Sequence, residues 1–311
     1  MIINNININS DLNQEPLCLT IGNFDGIHLG HQFIINEIIN NSKKLNLKSA
    51  VLSFSPHPRV FFKKVKENFN IITDAHKEEL LESLGIDIFF KLKFDEKIAS
   101  MSPEDFINKF LINKLNLKSL IIGENFRFGI NRSGDINLLK KIYLQKKFYL
   151  KVINFVKTND TEMIFSSSII REKIKKGEFS EIYKFLGRPW TIRGTVIKGE
   201  KRAREMNFPT ANILSPDTIH PKKGVYIVKV IIDGKKYSGI ANFGRRPTFG
   251  GKKVLLEVNI FDFNDEIYGK ELTIEFLTFI REEIEFANFD KLKEQVNKDV
   301  QSAKFFFTQN R

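Results

Sequence analysis

From Leu17 to about Val156, short apolar runs alternate with stretches of helical period. The runs LCLTIG, SAVLSF, IDIFFKL, SLIIG and FYLKVINFV are apolar on both faces, the pattern of strands in a parallel sheet covered by helices. The helices between them have readable ends. At Ser102-Pro103-Glu104-Asp105 the serine can cap, the proline suits the first helical position and Asp105 falls in the first turn. Another helix, Asp74 to Leu84, stops at Gly85. Five strands alternating with four helices predict a doubly wound, Rossmann-like α/β sheet, which takes its ligands at the carboxyl ends of its strands. A helical stretch from Ser167 to Leu186 leads to Gly187-Arg188-Pro189, and there the period changes. WTIRGTVIKG, GVYIVKVII, KKYSGIAN, VLLEVNIFDF and ELTIEFLTFI read as strands, with Asp233-Gly234 as a two-residue hairpin turn. They predict a small antiparallel β-barrel or sandwich, closed by a C-terminal helix from about Phe289 to Phe307. The change of period divides the chain into residues 1–187 and 188–311.

Composition narrows the class. No apolar run approaches the ~18 residues of a membrane-spanning helix, and the N-terminus MIINNININSDLNQ has neither the basic nor the apolar region of a secretory signal. The single cysteine, Cys18, cannot form an intrachain disulfide, which fits a reducing cytosol and a soluble, cytoplasmic protein. Lys and Arg total 49 against 37 Asp and Glu, a formal charge of +12. That excess points to polyanionic partners: nucleic acid, an anionic membrane surface or phosphorylated small molecules. A genome biased toward Lys, Asn, Ile and Phe codons accounts for the same surplus, and 30 Phe beside one Trp carry that bias.

The first chemically dense segment follows the first strand and opens the first helix: Thr20-Ile21-Gly22-Asn23-Phe24-Asp25-Gly26-Ile27-His28-Leu29-Gly30-His31. A helix start holds phosphate through backbone N–H groups and the helix dipole. Glycines let the backbone approach a ligand, and His28 and His31, three apart, project from one side of the first turn. Two imidazoles there can neutralise charge on a phosphorus in transfer, the electrostatic demand of phosphoryl and nucleotidyl transfer. Half of a zinc site and simple capping are the alternatives. Neither a Walker A loop nor a G-x-G-x-x-G fingerprint occurs, so phosphate binding must come from other segments.

The second constellation lies in the C-terminal half. A basic loop carrying Lys201, Arg202 and Arg204 runs into Pro209-Thr210-Ala211-Asn212. Mg²⁺ carried by ATP prefers oxygen ligands, for which Thr210 and Asn212 are candidates, while the basic side chains can meet phosphate oxygens. On the strand from Val254 to Phe261, alternation puts Val254, Leu256, Val258 and Ile260 on one face and Glu257 with Asn259 on the other. A carboxylate at Glu257 can take the proton of an attacking hydroxyl as a general base. The alternatives are a solvated charge run and a surface glutamate.

GNFDGIHLGHQ resembles the Gly-x-Phe-Asp-x-x-His-x-Gly-His signature of the nucleotidyltransferase superfamily, and in this form is most similar to the bacterial bifunctional riboflavin kinase/FAD synthetase family. Phe54-Ser55-Pro56-His57-Pro58 resembles that family's Pro-His-Pro loop. Gly123 to Gly129, with Ser133-Gly134-Asp135, resembles the segment that holds flavin and nucleotide; Ser166 to Arg171 resembles its triphosphate-binding helix start. Phe-Pro-Thr-Ala-Asn, Gly224-Val225-Tyr226, Ala241-Asn242-Phe243-Gly244 and the Glu257 strand resemble the riboflavin kinase module.

The resemblance implies nucleotide contacts from Gly22, Phe24, Asp25, Gly30, Asn125, Ser167, Ser168, Arg171, Lys201, Arg204, Thr210 and Asn212. It implies flavin contacts from Pro56, His57, Pro58, Asn125, Arg127 and Phe128, metal contacts from Thr210 and Asn212, and catalytic roles for Glu257, His28 and His31. Residues 1–187 would be an FMN adenylyltransferase and 188–311 a riboflavin kinase. ATP would be the co-substrate with Mg²⁺; riboflavin, FMN and FAD would be the other ligands, with no nucleic acid or membrane partner. Ser55, Ile169, Ala203 and Asn207 depart from the family's usual acidic residue, Arg, Gly and Gly. The rival classes are an RNA-charging enzyme, since H-x-G-H also opens a helix in class I synthetases, and a flavin carrier that consumes no ATP.

Overall fold

The computed structural model describes residues 1–12, 14–65, 68–146, 148–154, 164–197, 208–214, 218–248 and 251–310. By its contacts the chain forms two units, one comprising residues 1–69 and 73–167, the other residues 70–72 and 168–311.

The first unit is a six-stranded, wholly parallel sheet. Its strands are β1 (Ile2–Ile6), β2 (Leu17–Ile21), β3 (Lys48–Ser55), β4 (Ile88–Lys93), β5 (Leu117–Gly123) and β6 (Tyr149–Ile153), in the order β1-β4-β3-β2-β5-β6. Every residue of β2 is buried, as a strand covered on both faces requires. The five expected strands are present. β1 is an addition the pattern did not announce: it is an edge strand, and its Ile2 and Ile3 stay exposed, so it lacks the apolar run of a covered strand. From β2 the chain winds outward to β3 and β4, then returns to build β5 and β6 on the other side. The order therefore reverses between β2 and β5, and a crevice opens outside their carboxyl ends.

The helices of this unit include α1 (Leu29–Leu45), α2 (Pro58–Phe61), α3 (Asp74–Leu84), α4 (Glu96–Ala99), α5 (Pro103–Asp105) and α6 (Ile136–Lys146). Ser102 caps α5 as expected, its Oγ accepting the Asp105 N–H at 3.1 Å, with Pro103 in the first helical position. α5 continues as a π-helix, Phe106–Lys114, which buries Phe106, Ile107, Phe110 and Leu111 in the core. Beneath α1, Cys18 is fully buried against Ser119 and Asn41; burial pushes its thiol up, so it stays protonated at neutral pH and serves as packing.

The second unit is a closed antiparallel barrel of β7 (Trp190–Ile197), β8 (Ala211–Leu214), β9 (Gly224–Ile232), β10 (Lys235–Thr248), β11 (Gly251–Ile260) and β12 (Glu271–Arg281), ordered β10-β11-β8-β7-β12-β9. Asp233 and Gly234, both at positive φ, make the expected hairpin turn. β8 is the element the pattern missed, four residues long and hidden in what read as a loop. The helical stretch 167–186 is two helices, α7 (Ser167–Lys176) and α8 (Phe179–Leu186), broken at Gly177, whose φ of +78° no helix continues. Phe179 of α8 packs on Trp190, Tyr226 and Phe276. Contacts of this kind tie both helices to the barrel, so the contact boundary falls after Ser167, earlier than the change of period at 187. The C-terminal helix α9 (Phe289–Gln309) is held by Arg281, which grips the buried Asp299 through Nε at 3.0 Å and Nη2 at 2.6 Å. No helix among the described residues is long and apolar enough to cross a membrane.

Candidate active sites

In the first unit, three of the expected segments leave the carboxyl ends of adjacent strands. Gly22 to His28 follows β2, Pro56-His57-Pro58 follows β3 and Glu124 to Gly129 follows β5, so all converge on the sheet's switch point.

The segment after β2 is strained and tied down. Phe24, Gly26 and Ile27 sit at φ of 47°, 84° and 38°, and for β-branched Ile27 this conformation is costly, on the order of 1–3 kcal/mol. Three side chains from three elements hold alternate carbonyls of the loop. Ser53 Oγ donates to Asn23 at 3.2 Å, Ser167 Oγ to Asp25 at 2.9 Å and Gln32 Nε2 to Ile27 at 3.0 Å. Asp25, Phe24 and Ile27 are buried.

His28 then caps α1. Its Nδ1 accepts the His31 N–H at 3.2 Å, so in this geometry Nδ1 is the acceptor and Nε2 the donor of the ring. The two imidazoles stack face to face with centroids 3.6 Å apart. Two imidazolium ions so close at the positive end of a helix would repel each other and the dipole. His28 thereby offers its Nε2–H as a donor, aimed by its cap. A Cβ at Gly30 would lie 2.9 Å from Phe165 Cβ, and one at Gly22 would lie 3.1 Å from the Phe24 ring, so internal packing also asks for a small residue at both. Among the described residues no group of three or more His, Cys, Asp or Glu gathers as metal ligands do, which leaves a zinc half-site at His28 and His31 without a second half.

His57 caps the short α2, its Nδ1 accepting from the Arg59 N–H at 3.0 Å; Pro56 is exposed, and His57 and Pro58 are half-buried. Asn125 and Arg127 are exposed at the end of β5. Phe128 is buried in the core, stacked on Phe126 with centroids 5.3 Å apart, so it supports the partly exposed Phe126 ring instead of presenting a face of its own. Sequence reasoning passed over an aromatic surface beside the Pro-His-Pro loop. Phe54, Phe61 and Phe62 meet Phe94 edge to face, and Phe62 is 50% exposed. In a chain with 30 Phe, no pattern set these apart. Ser167 opens α7; exposed Ser168 and buried Arg171 follow it within the second unit.

In the barrel, the β8–β11 pairing sets Asn212 directly opposite Glu257, and β10 sets Asn242 opposite Glu257 on the other side. Leu256 and Val258 are fully buried in the interior, so alternation turns Asn212, Glu257 and Asn242 to the outer face as one row. Neither asparagine's position could be read without the register. Thr210 is half-exposed immediately before β8. Lys201, Arg202, Ala203, Arg204 and Asn207 lie outside the described residues.

Comparison with known proteins follows the same division. Residues 10–168 match the model for FAD synthetase and residues 186–307 that for riboflavin kinase. Curated relatives named bifunctional riboflavin kinase/FMN adenylyltransferase match nearly end to end. That of Haemophilus influenzae is 40% identical over 94% of this chain and 95% of its own length. Those of Bacillus subtilis and Escherichia coli K12 are 36% identical over 95% of this chain and 94% of the relative, and 33% over 98% and 97%. A crystal structure described as a macrolide-efflux protein from Streptococcus pneumoniae superposes with a TM-score of 0.87 at 30% identity, covering 98% of this chain and 99% of that one.

Proposed function

The chain belongs to the bifunctional riboflavin kinase/FMN adenylyltransferase family, and from that membership we propose how its residues divide the work. The protein is a transferase of flavin cofactor synthesis: with ATP it phosphorylates riboflavin to FMN and adenylylates FMN to FAD.

We assign the kinase step to residues 188–311 and the adenylyl transfer to residues 1–187. In the barrel, Glu257 takes the proton of the riboflavin 5′-hydroxyl as its oxygen attacks the γ-phosphorus of ATP, and ADP leaves. The observation that carries this is the cross-strand pairing of Glu257 with Asn212. It sets a carboxylate beside a neutral oxygen ligand, with the Thr210 hydroxyl two residues away, a donor set that suits the Mg²⁺ of Mg-ATP, which keeps its waters and phosphate oxygens. The bound ion supplies charge neutralisation on the phosphates. Lys201 and Arg204 are assigned to phosphate oxygens.

In the α/β unit, the FMN phosphate attacks the α-phosphorus of a second ATP and pyrophosphate leaves. His28 donates Nε2–H to the phosphoryl oxygens from its fixed tautomer, and His31 acts beside it. Gly22, Phe24, Asp25 and Gly30 shape that loop; Ser167, Ser168 and Arg171 are assigned to the triphosphate, Asn125 to both ligands. Pro56, His57, Pro58 and Arg127 are assigned to the flavin, with Phe128 acting behind Phe126. We place the enzyme in the cytoplasm, on its one buried cysteine and its ATP supply. ATP and FMN call for only a few of the 49 basic residues and for no nucleic acid, and the rest of the surplus follows from compositional bias.

One assay tests the division: riboflavin with Mg-ATP, products separated by chromatography. Glu257→Ala is expected to form little FMN from riboflavin yet to make FAD from supplied FMN. The His28→Ala/His31→Ala double variant is expected to accumulate FMN. The assignment is wrong if either variant loses the other's activity.

A further inference from the structure

Asn259 lies two residues beyond Glu257 on β11 and is buried, at 7% exposure. Backbone pairing of β8 with β11 ends at Val258 opposite Ala211. Carried one step further, the same register sets Thr210 opposite Asn259, on the face that already holds Asn212 and Glu257. At that point the ladder stops, and a side chain takes over: Asn259 Nδ2 donates to the Pro209 carbonyl at 2.7 Å.

That carbonyl belongs to the Pro209–Thr210 peptide. A trans peptide is rigid, so fixing its carbonyl oxygen fixes the plane from which Thr210 departs. Proline sets its own φ near −65° and brings no N–H to the pairing, which leaves the carbonyl as its backbone handle. The strand that carries Glu257 thus also holds the start of the Thr210 to Asn212 segment. A gap of 50 residues in sequence is bridged by one hydrogen bond.

We infer that Asn259 is a positioning residue of the kinase reaction, setting the Thr210 hydroxyl against Mg-ATP through the Pro209 carbonyl. It touches no reacting atom. The inference rests on the assignment of Thr210 above, and its test separates the two.

Four forms of the full chain are compared in riboflavin phosphorylation over a range of Mg-ATP: wild type, Thr210→Ala, Asn259→Leu and Asn259→His. FAD formation from supplied FMN is followed in each as the internal measure of an intact chain. Asn259→Leu keeps the size and removes the donor; it is expected to raise KM for Mg-ATP roughly tenfold, with kcat within about threefold and FAD formation unchanged. Asn259→His keeps an N–H at similar reach and is expected to stay within about threefold of wild type in KM. If Thr210→Ala raises KM for Mg-ATP and Asn259→Leu does not, Asn259 has no such role and the Thr210 assignment stands. If Thr210→Ala leaves KM unchanged, the Thr210 assignment falls and this inference with it. Should Asn259→Leu lose FAD formation as well, Asn259→His decides alone: a tenfold rise in KM there overturns the inference, and a near-normal KM sustains it.

Discussion

At the scale of single residues, the loop after β2 sets backbone strain directly before a helix cap. Ile27 holds a backbone conformation that a β-branched side chain rarely takes, directly before the histidine that caps α1. Gln32 reaches back five residues to the Ile27 carbonyl. Gln32→Met keeps the length of the side chain and removes the donor. Its expected effect is a fall in FAD formation from FMN of ten- to a hundredfold, since a shift of about 1 Å in a catalytic group costs that much, while FMN formation from riboflavin is unchanged. Steady-state rates of the two reactions check it. The candidate histidines were legible in sequence because Gly, Asp and His crowd a helix start. Their tautomer was not: it depends on whether Nδ1 of His28 meets the N–H of His31, a matter of ring rotation that spacing does not fix. That one of Phe126 and Phe128 packs in the core was legible in so Phe-rich a chain; which one was not, because burial is decided by the rings on either side of Phe128, Phe106 and Phe126.

At the scale of elements, periodicity missed two strands, β1 because its leading apolar residues are exposed and β8 because it is short. β1 exposes the adjacent Ile2 and Ile3 and follows them with Asn4 and Asn5, so no alternation marks it. β8 spans four residues, too few for a period, yet its register is what brings Asn212 to Glu257. Register was the part of the barrel's candidate site the sequence could not carry, since it follows from barrel closure over distant strands. The C-terminal helix was readable from its period, but its attachment was not. Of its residues only Asp299 and Ala303 are buried, and Asp299 faces Arg281 on β12. Asp299→Ala would leave a mostly buried guanidinium without its carboxylate, at a cost of about 3–5 kcal/mol. The expected outcome is a lower denaturant midpoint for the barrel unit, measured by chemical unfolding, with FAD formation from FMN less affected than FMN formation.

At the scale of the whole molecule, the two units are not successive lengths of chain. Residues 70–72 belong by their contacts to the second unit. Trp190 Nε1 donates to the Ile71 carbonyl at 2.9 Å, and the Ile219 N–H to the Asn70 carbonyl at 2.7 Å; Ile71 and Ile72 are buried. A fragment of residues 186–311 spans the riboflavin kinase match yet lacks these three residues. It is expected to unfold at a lower denaturant concentration than the barrel of the full chain, with Trp190 fluorescence shifted toward that of an exposed indole. Equal midpoints and spectra would show that the insertion contributes nothing.

The same insertion sets a timetable for synthesis on the ribosome. Ile71 leaves the peptidyl-transferase centre 119 residues before Trp190. At about 5–20 residues per second, the gap is roughly 6–24 s. For that interval the nascent chain carries two isoleucines, Ile71 and Ile72, whose barrel partners have not been made. The sheet of the first unit can form around them, but this loop cannot settle until the barrel's own strands emerge.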